Sequence, residues 1–214
     1  RQGERLHSHR ELVSALLQSP AASAGELREL AAAADWRVPA TASALACHEN
    51  DLAEITRRLP VEVISATVEP AGCIIIPEPS GPGRRKQIET AVDGRTATLG
   101  PETDPGSLEN SWRIAHLALG AVDSGALDAD RRVSSDRHLV DLAIYNSRDL
   151  IGRIRDRELA PIEDLTPKAR SRMTDTALAF LEQRGNAAEM ARALGIHPQT
   201  ARYRLNRLRE LLGD

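Results

Sequence analysis

An α+β sheet domain followed by an all-α tail is the fold class this 214-residue sequence predicts, and three observations carry the prediction. From Val38 to Gly100 the apolar patterning runs strand, helix, strand, strand, helix, strand. That order is the ferredoxin-like arrangement, an antiparallel sheet with helices on one face. Beyond about Leu159 the apolar spacing is helical, in segments punctuated by Gly185 and by Gly195–Pro198. The composition, 41% hydrophobic and 28% charged, is globular, and the length suffices for two small domains with cores of their own. With aromatics at only 2%, those cores must be built from Leu, Ile, Val and Ala.

The elements follow in order. Leu6, Val13, Leu16 and Leu17 fall at helical spacing over residues 4–18, and a second helix spans 24–34 after the break at Pro20. The pair reads as a helical lead-in over 1–35. "VPATASALAC" reads as a strand, and "DLAEITRRL" as a short helix begun by Asn50 or Asp51. "VEVISATV" and "CIIIP" form a hairpin through "EPAG", "GPGRRKQIETAV" turns into a helix, and "RTATLG" supplies the last strand. "SLENSWRIAHLALGAV" adds a long helix with Trp112, Ile114, Leu117 and Leu119 available for packing, and helical patterns continue over 136–157. The sheet domain is therefore expected over 36–158 and the tail over 159–214.

In the tail, Thr166 and Pro167 supply an N-cap and first-turn pair for a helix that carries Met173, Ala177, Leu178, Phe180 and Leu181. Asn186 caps the next helix, with Glu189 three residues on in capping-box position. That helix ends at Leu194, Gly195 supplies a left-handed turn, and Ile196 plugs it. His197 and Pro198 begin a third helix whose Ala201, Leu205, Leu208 and Leu212 make one buried stripe. Gln199, Tyr203, Asn206 and Arg207 then face away, flanked by Thr200, Arg202 and Arg204. A short helix, a Gly turn and a longer basic helix, with the small Ala191 permitting close approach, is the plan of a helix-turn-helix.

Charge is distributed to match. The whole chain carries −3, yet from Lys168 to Asp214 nine basic side chains stand against five carboxylates, so the front is acidic and the tail basic.

The stretch "GN…A…ALGIHPQTARYRLNRLRELLG" resembles the C-terminal helix-turn-helix of PucR/CdaR-type bacterial transcriptional regulators, itself similar to the Fis-type motif. The resemblance rests on Gly185, Asn186, Ala191, Leu194, His197, Pro198, Thr200, Arg202, Tyr203, Arg204, Leu205 and Leu211; Ala201 stands where the family usually has Val or Leu. It extends more weakly upstream through "ALAFLEQRG" and "LAPIEDL". It implies a preceding degenerate GGDEF-like domain, in agreement with the element order. The outward-facing start of the third helix gives the expected DNA contacts: His197, Gln199, Thr200, Arg202, Tyr203, Arg204 and Arg207.

Other chemistry is weakly represented. A diguanylate cyclase needs an acidic Gly-Gly-Asp/Glu-Glu hairpin, whereas this hairpin holds only Glu62 and Glu69. No catalytic residue, metal ligand or cofactor is therefore expected. "SGPGRR" reads as a Gly-Pro turn entering a helix in preference to an anion cradle. Cys47 and Cys73 lack metal spacing and read as reduced, buried thiols; His7 and His9 point to different helix faces, and His48 and His116 read as isolated. No apolar run reaches the roughly 18 residues of a membrane span, and the start lacks a signal-peptide pattern. Because residue 1 is Arg and not Met, an upstream piece is expected to be missing.

The expectation is a cytoplasmic regulator that binds double-stranded DNA as a homodimer, with no membrane association. The sheet domain would pair the subunits or receive a signal from a small-molecule effector. The helix around Trp112 and the lead-in helices are the candidate pairing surfaces. Two alternatives remain: a nucleotide- or effector-binding signalling protein whose tail binds a protein partner, and a sequence-tolerant architectural DNA protein.

Overall fold

The computed structural model describes residues 2–20, 22–128 and 134–213, with side chains from His7 onward, so Leu6 and its packing lie outside the described side chains. Contacts divide the chain into two compact units, Arg1–Asn146 and Ser147–Asp214.

The first unit is built on four strands, β1 (Ala42–His48), β2 (Ile64–Val68), β3 (Ala71–Pro77) and β4 (Ala97–Leu99). The order β2-β3-β1-β4, with antiparallel pairing throughout, is the ferredoxin-like topology. Val68 pairs with Ala71, so Glu69 and Pro70 alone make the hairpin turn. Successive residues of β1 and β3 alternate between the faces. Leu45, Cys47, Ile74 and Ile76 pack against α3 (Glu49–Arg58) and α4 (Arg84–Ala91) through Ile55 and Ile88. α3 begins one or two residues ahead of the expected Asn50 or Asp51, with His48 as its N-cap.

The opposite face is covered as well, and here the one-sided expectation is corrected. Ala42, Ala44, Ile64, Cys73 and Ile75 pack with Leu12, Val13 and Leu16 of α1 (Gln2–Leu17), Ala31 of α2 (Ala24–Ala33), and Trp36. α5 (Leu108–Asp123) adds Leu108 to this cluster, and its Ala115 and Leu119 pack on Ala46 and Ala71. A sheet covered on both sides needs apolar residues at every position, which is why "CIIIP" is a continuous run without alternation. The lead-in helices are thus part of the sheet unit's core. Gly100 lets α5 approach, since a Cβ there would lie 2.1 Å from the Ser111 carbonyl oxygen. Ser111 Oγ accepts from the Ala44 amide at 3.0 Å and donates to the Pro101 carbonyl at 2.7 Å, tying α5 to the sheet.

Cys47 and Cys73 are buried free thiols in β1 and β3. Burial pushes the Cys47 thiol up from its ordinary 9.0 to about 12, with Asp51 adding to the effect, and burial holds Cys73 well above its ordinary value. Both therefore stay protonated and unreactive at neutral pH. The folded stability linked to the Cys47 thiol is fully present below pH 9.0 and is lost as pH rises toward 12. Iodoacetamide should alkylate the native chain at least ~100-fold more slowly than the urea-unfolded chain. Comparable rates would remove both thiols from the core.

A 3-10 turn at Ser135–His138 leads into α6 (Leu139–Asn146), whose Leu142 packs with Ala118 and Ala121 of α5. The second unit contains α7 (Arg148–Glu163), α8 (Pro167–Glu182), α9 (Ala187–Ala193) and α10 (Pro198–Leu212). It begins ahead of the expected residue 159 because α7 is one helix whose end enters the tail's core. Ile162 is buried with Met173 and Leu208, and Leu159 packs beside them.

Candidate nucleic-acid interface

Local signals place α9 and α10 where the sequence predicts. Asn186 caps α9 with its side-chain oxygen, accepting from the Ala188 and Glu189 amides at 3.1 and 3.3 Å. Glu189 does not return the bond; its carboxylate takes Arg192 one turn on. Gly195 has φ +61°, and the Ile196 amide donates to the Ala191 carbonyl at 2.9 Å, closing the turn. His197 caps α10, its Nδ1 accepting from the Gln199 amide at 3.3 Å, and Pro198 occupies the first helical position.

The angle between the two helices is held by a small core. Met190, Ala179 and Leu205 are buried together, with Phe180 and Leu194 packed against them. Ala191 and Ala201 are 2% and 0% exposed, so both small residues sit within the packing. The stripe on α10 differs at its end from the sequence reading. Leu211, not Leu212, packs with Ile162 and Met173, while Leu212 is 37% exposed. The end of α7 lies beside this part of α10 and draws the neighbouring position inward. On α8, Met173, Thr176 and Ala179 are buried, whereas Leu178 and Leu181 are exposed.

Gly185 closes α8 with φ +77°, and its amide donates to the Phe180 carbonyl at 2.8 Å. A Cβ at Gly185 would meet Phe180 Cε2 at 3.0 Å, whereas one at Gly195 would meet nothing within 4 Å. Gly185→Ala should therefore cost roughly 1–3 kcal/mol, and Gly195→Ala about 1 kcal/mol from its conformation alone. Thermal melts of the two variants should rank in that order; the reverse order would contradict the contact with Phe180.

The predicted DNA-contacting residues all lie on this one helix or its cap. His197, Gln199, Thr200, Arg202, Tyr203 and Arg207 are exposed, and Arg204 is half-buried. Tyr203 is 72% exposed, a large aromatic with no cover. Arg202 and Arg204 make no ion pair among the described residues, whereas Arg207 is paired with Glu210 at 2.7 Å. Asn206, not among the predicted contacts, is exposed between Tyr203 and Arg207 on the same face. Its signal is the two-turn spacing from Gln199.

Residues 173–214 match the family model of the PucR C-terminal helix-turn-helix domain. The tail is a PucR-type DNA-binding domain. The matched span runs from the Met173 turn of α8 through α9 and α10, so the PucR match and the HTH core coincide. This PucR-type domain makes the chain a helix-turn-helix protein of transcription regulation. The whole chain is also similar in fold to the crystal structure of a regulator of polyketide synthase expression from Bifidobacterium adolescentis. That likeness has a TM-score of 0.50 at 16% identity, covering 96% of this chain and 84% of the other. No curated protein matches the chain significantly in sequence.

The sheet unit holds other titratable groups, and both histidines read as isolated have neighbours. His48 is not isolated: its Nε2 lies 3.0 Å from Asp123, and its Nδ1 is 4.0 Å from Asp51. His116 stacks on Trp112 with ring centroids 5.4 Å apart. Glu62 precedes β2 and Glu69 follows it, which separates the hairpin's two acids by roughly 20 Å of extended chain. Among the described residues no three His, Cys, Asp or Glu side chains gather as a metal site. Nor is any described helix long and apolar enough to cross a membrane.

Proposed function

We propose that the chain is a PucR/CdaR-type transcriptional regulator of the cytoplasm, reading double-stranded DNA through α10 as a homodimer, with the sheet unit acting as a non-catalytic receiver of a signal. The observation that carries the reading is the outer face of α10. It presents Gln199, Arg202, Tyr203 and Arg207 to solvent while Ala201, Leu205 and Leu208 anchor the opposite side. Gln199, Arg202 and Tyr203, near the helix start, read base edges; Thr200, Arg204 and Arg207 meet phosphates. His197 contributes through the N-cap it forms.

Pairing follows from interface size, because one helix in a groove buries too little surface for selective binding. The two expected pairing surfaces are largely engaged inside the sheet unit, since α1 and α5 bury their apolar residues there. Leu150, Ile151 and Ile154 of α7 are 65%, 43% and 52% exposed, and they support pairing of two copies through α7. Two α10 helices about 34 Å apart would then read inverted half-sites one DNA turn apart.

Gel shifts and footprints of the full chain on its own promoter region test the reading. Arg207→Ala should weaken binding to all sequences and flatten the salt dependence by about one unit of slope. Its pairing with Glu210 makes it the weaker of the phosphate contacts. Gln199→Ala should relax preference at one or two base pairs, costing roughly 1–3 kcal/mol. Unchanged affinity and preference in both variants would remove α10 from the interface, and protection of a single half-site by a monomer would defeat the pairing.

A further inference from the structure

The sheet unit contains a cavity of about 920 Å³ that the DNA-reading function leaves unexplained. Its floor is Ser43 of β1 with Leu99 and Gly100 at the end of β4, and one wall is the Ile88 face of α4. The segment Ser134–Asp141 closes the other side. Ser43 pairs with Ile76, so the cavity lies at the end of the sheet away from the β2–β3 hairpin.

The floor holds an unpaired group. Leu45 and Cys47, on the same face of β1, are covered by α3 and α4, whereas Ser43 lines the cavity. Ser43 is 1% exposed, and its Oγ has no hydrogen-bond partner among the described residues. A buried hydroxyl of this kind requires a partner, and Ser43 is one of the residues that line the cavity.

The charges around it sort into spent and unspent. Arg85 is paired with Glu89 at 2.9 Å, and His138 faces Asp141 at 3.4 Å, so these four largely satisfy one another. Glu102 accepts from Thr41 through one carboxylate oxygen and from Ser80 through the other. Two neutral hydroxyls fix the orientation of that carboxylate and leave its charge uncompensated. Asp136 and Arg137 also line the cavity and make no ion pair among the described residues. Two carboxylates, one guanidinium and one hydroxyl are left over.

We propose that this cavity binds a small ammonium–carboxylate zwitterion of amino-acid size, its cationic groups on Glu102 and Asp136, its carboxylate on Arg137 and a polar atom on Ser43. Pro79, Ile88 and Leu99 offer an apolar wall for its carbon chain. The excess of carboxylates favours a zwitterion with a second cationic group over one without. Its role as the regulator's effector rests on the function proposed above; its binding does not.

The test is calorimetric titration of the full chain, without DNA, at matched ionic strength. L-lysine and L-arginine are the probes, with glycine, glutarate and glucose as comparisons. Saturable binding of a diamino zwitterion is expected, weakened roughly tenfold or more by Glu102→Gln and by Arg137→Ala. Ser43→Ala should weaken binding while leaving the melting temperature of the ligand-free chain unchanged or raised, which a purely structural hydroxyl would not do. No saturation by roughly 10 mM, equal binding of glutarate or glucose, or full binding in all three variants would overturn the proposal. Gel shifts of the same variants without ligand keep the two readings separate. Zwitterion binding with no DNA binding would sink the regulator and keep the site, and the reverse result would do the opposite.

Discussion

The double variant Arg202→Ala/Arg204→Ala is expected to lose operator affinity by roughly 100-fold or more while its thermal stability stays within ~0.5 kcal/mol of the parent. Both guanidinium groups lack an ion pair among the described residues, so no internal partner is orphaned when they are removed. The loss has two parts. Arg202 stands near the start of α10 and should account for about 1–3 kcal/mol of base discrimination. Arg204, toward the flank, should account for close to one unit of salt slope. Fluorescence anisotropy over a series of salt concentrations separates the parts, because only the phosphate contact changes the slope. Affinity within twofold of the parent at every salt concentration would place the DNA elsewhere on the molecule.

Leu205→Ala is expected to unfold or severely loosen the tail unit while leaving the sheet unit folded. Leu205 is 6% exposed and joins α10 to Met190 of α9 and Ala179 of α8. Truncating a buried Leu costs about 2–5 kcal/mol, because the cavity left behind collapses only in part. A helical unit of this size holds roughly 3–10 kcal/mol of stability in total, at about 0.05–0.15 kcal/mol per residue, so the loss is a large share of it. The sheet clusters contain no tail residue, so calorimetry should show an early transition in the variant and an unshifted later one. Leu181→Ala is the control, since Leu181 is 72% exposed and its loss should be nearly neutral. Equal melting of the two variants would mean that the core joining α9 to α10 is not as described.

The helix-turn-helix was legible before any coordinates because its determinants are local. A capping Asn, a Gly at φ +61°, a Pro at the first helical position and an apolar stripe each act within a few residues. The sheet order was legible for a related reason: a two-residue hairpin and two short crossovers leave few ways to arrange four strands. Contacts distant in sequence followed a different rule. Nothing local to residues 2–33 says that α1 and α2 cover the sheet's second face, because a helical stripe specifies that it must be buried and not where. Leu211 replaces Leu212 in the core because α7, far back in the chain, arrives beside α10. His48 meets Asp123 across the fold, and the buried Ser43 hydroxyl is left without a partner among the described residues. Periodicity assigns a side chain to a face. Only the packed neighbours, brought together across long stretches of chain, determine which groups find partners there and which remain open to a ligand.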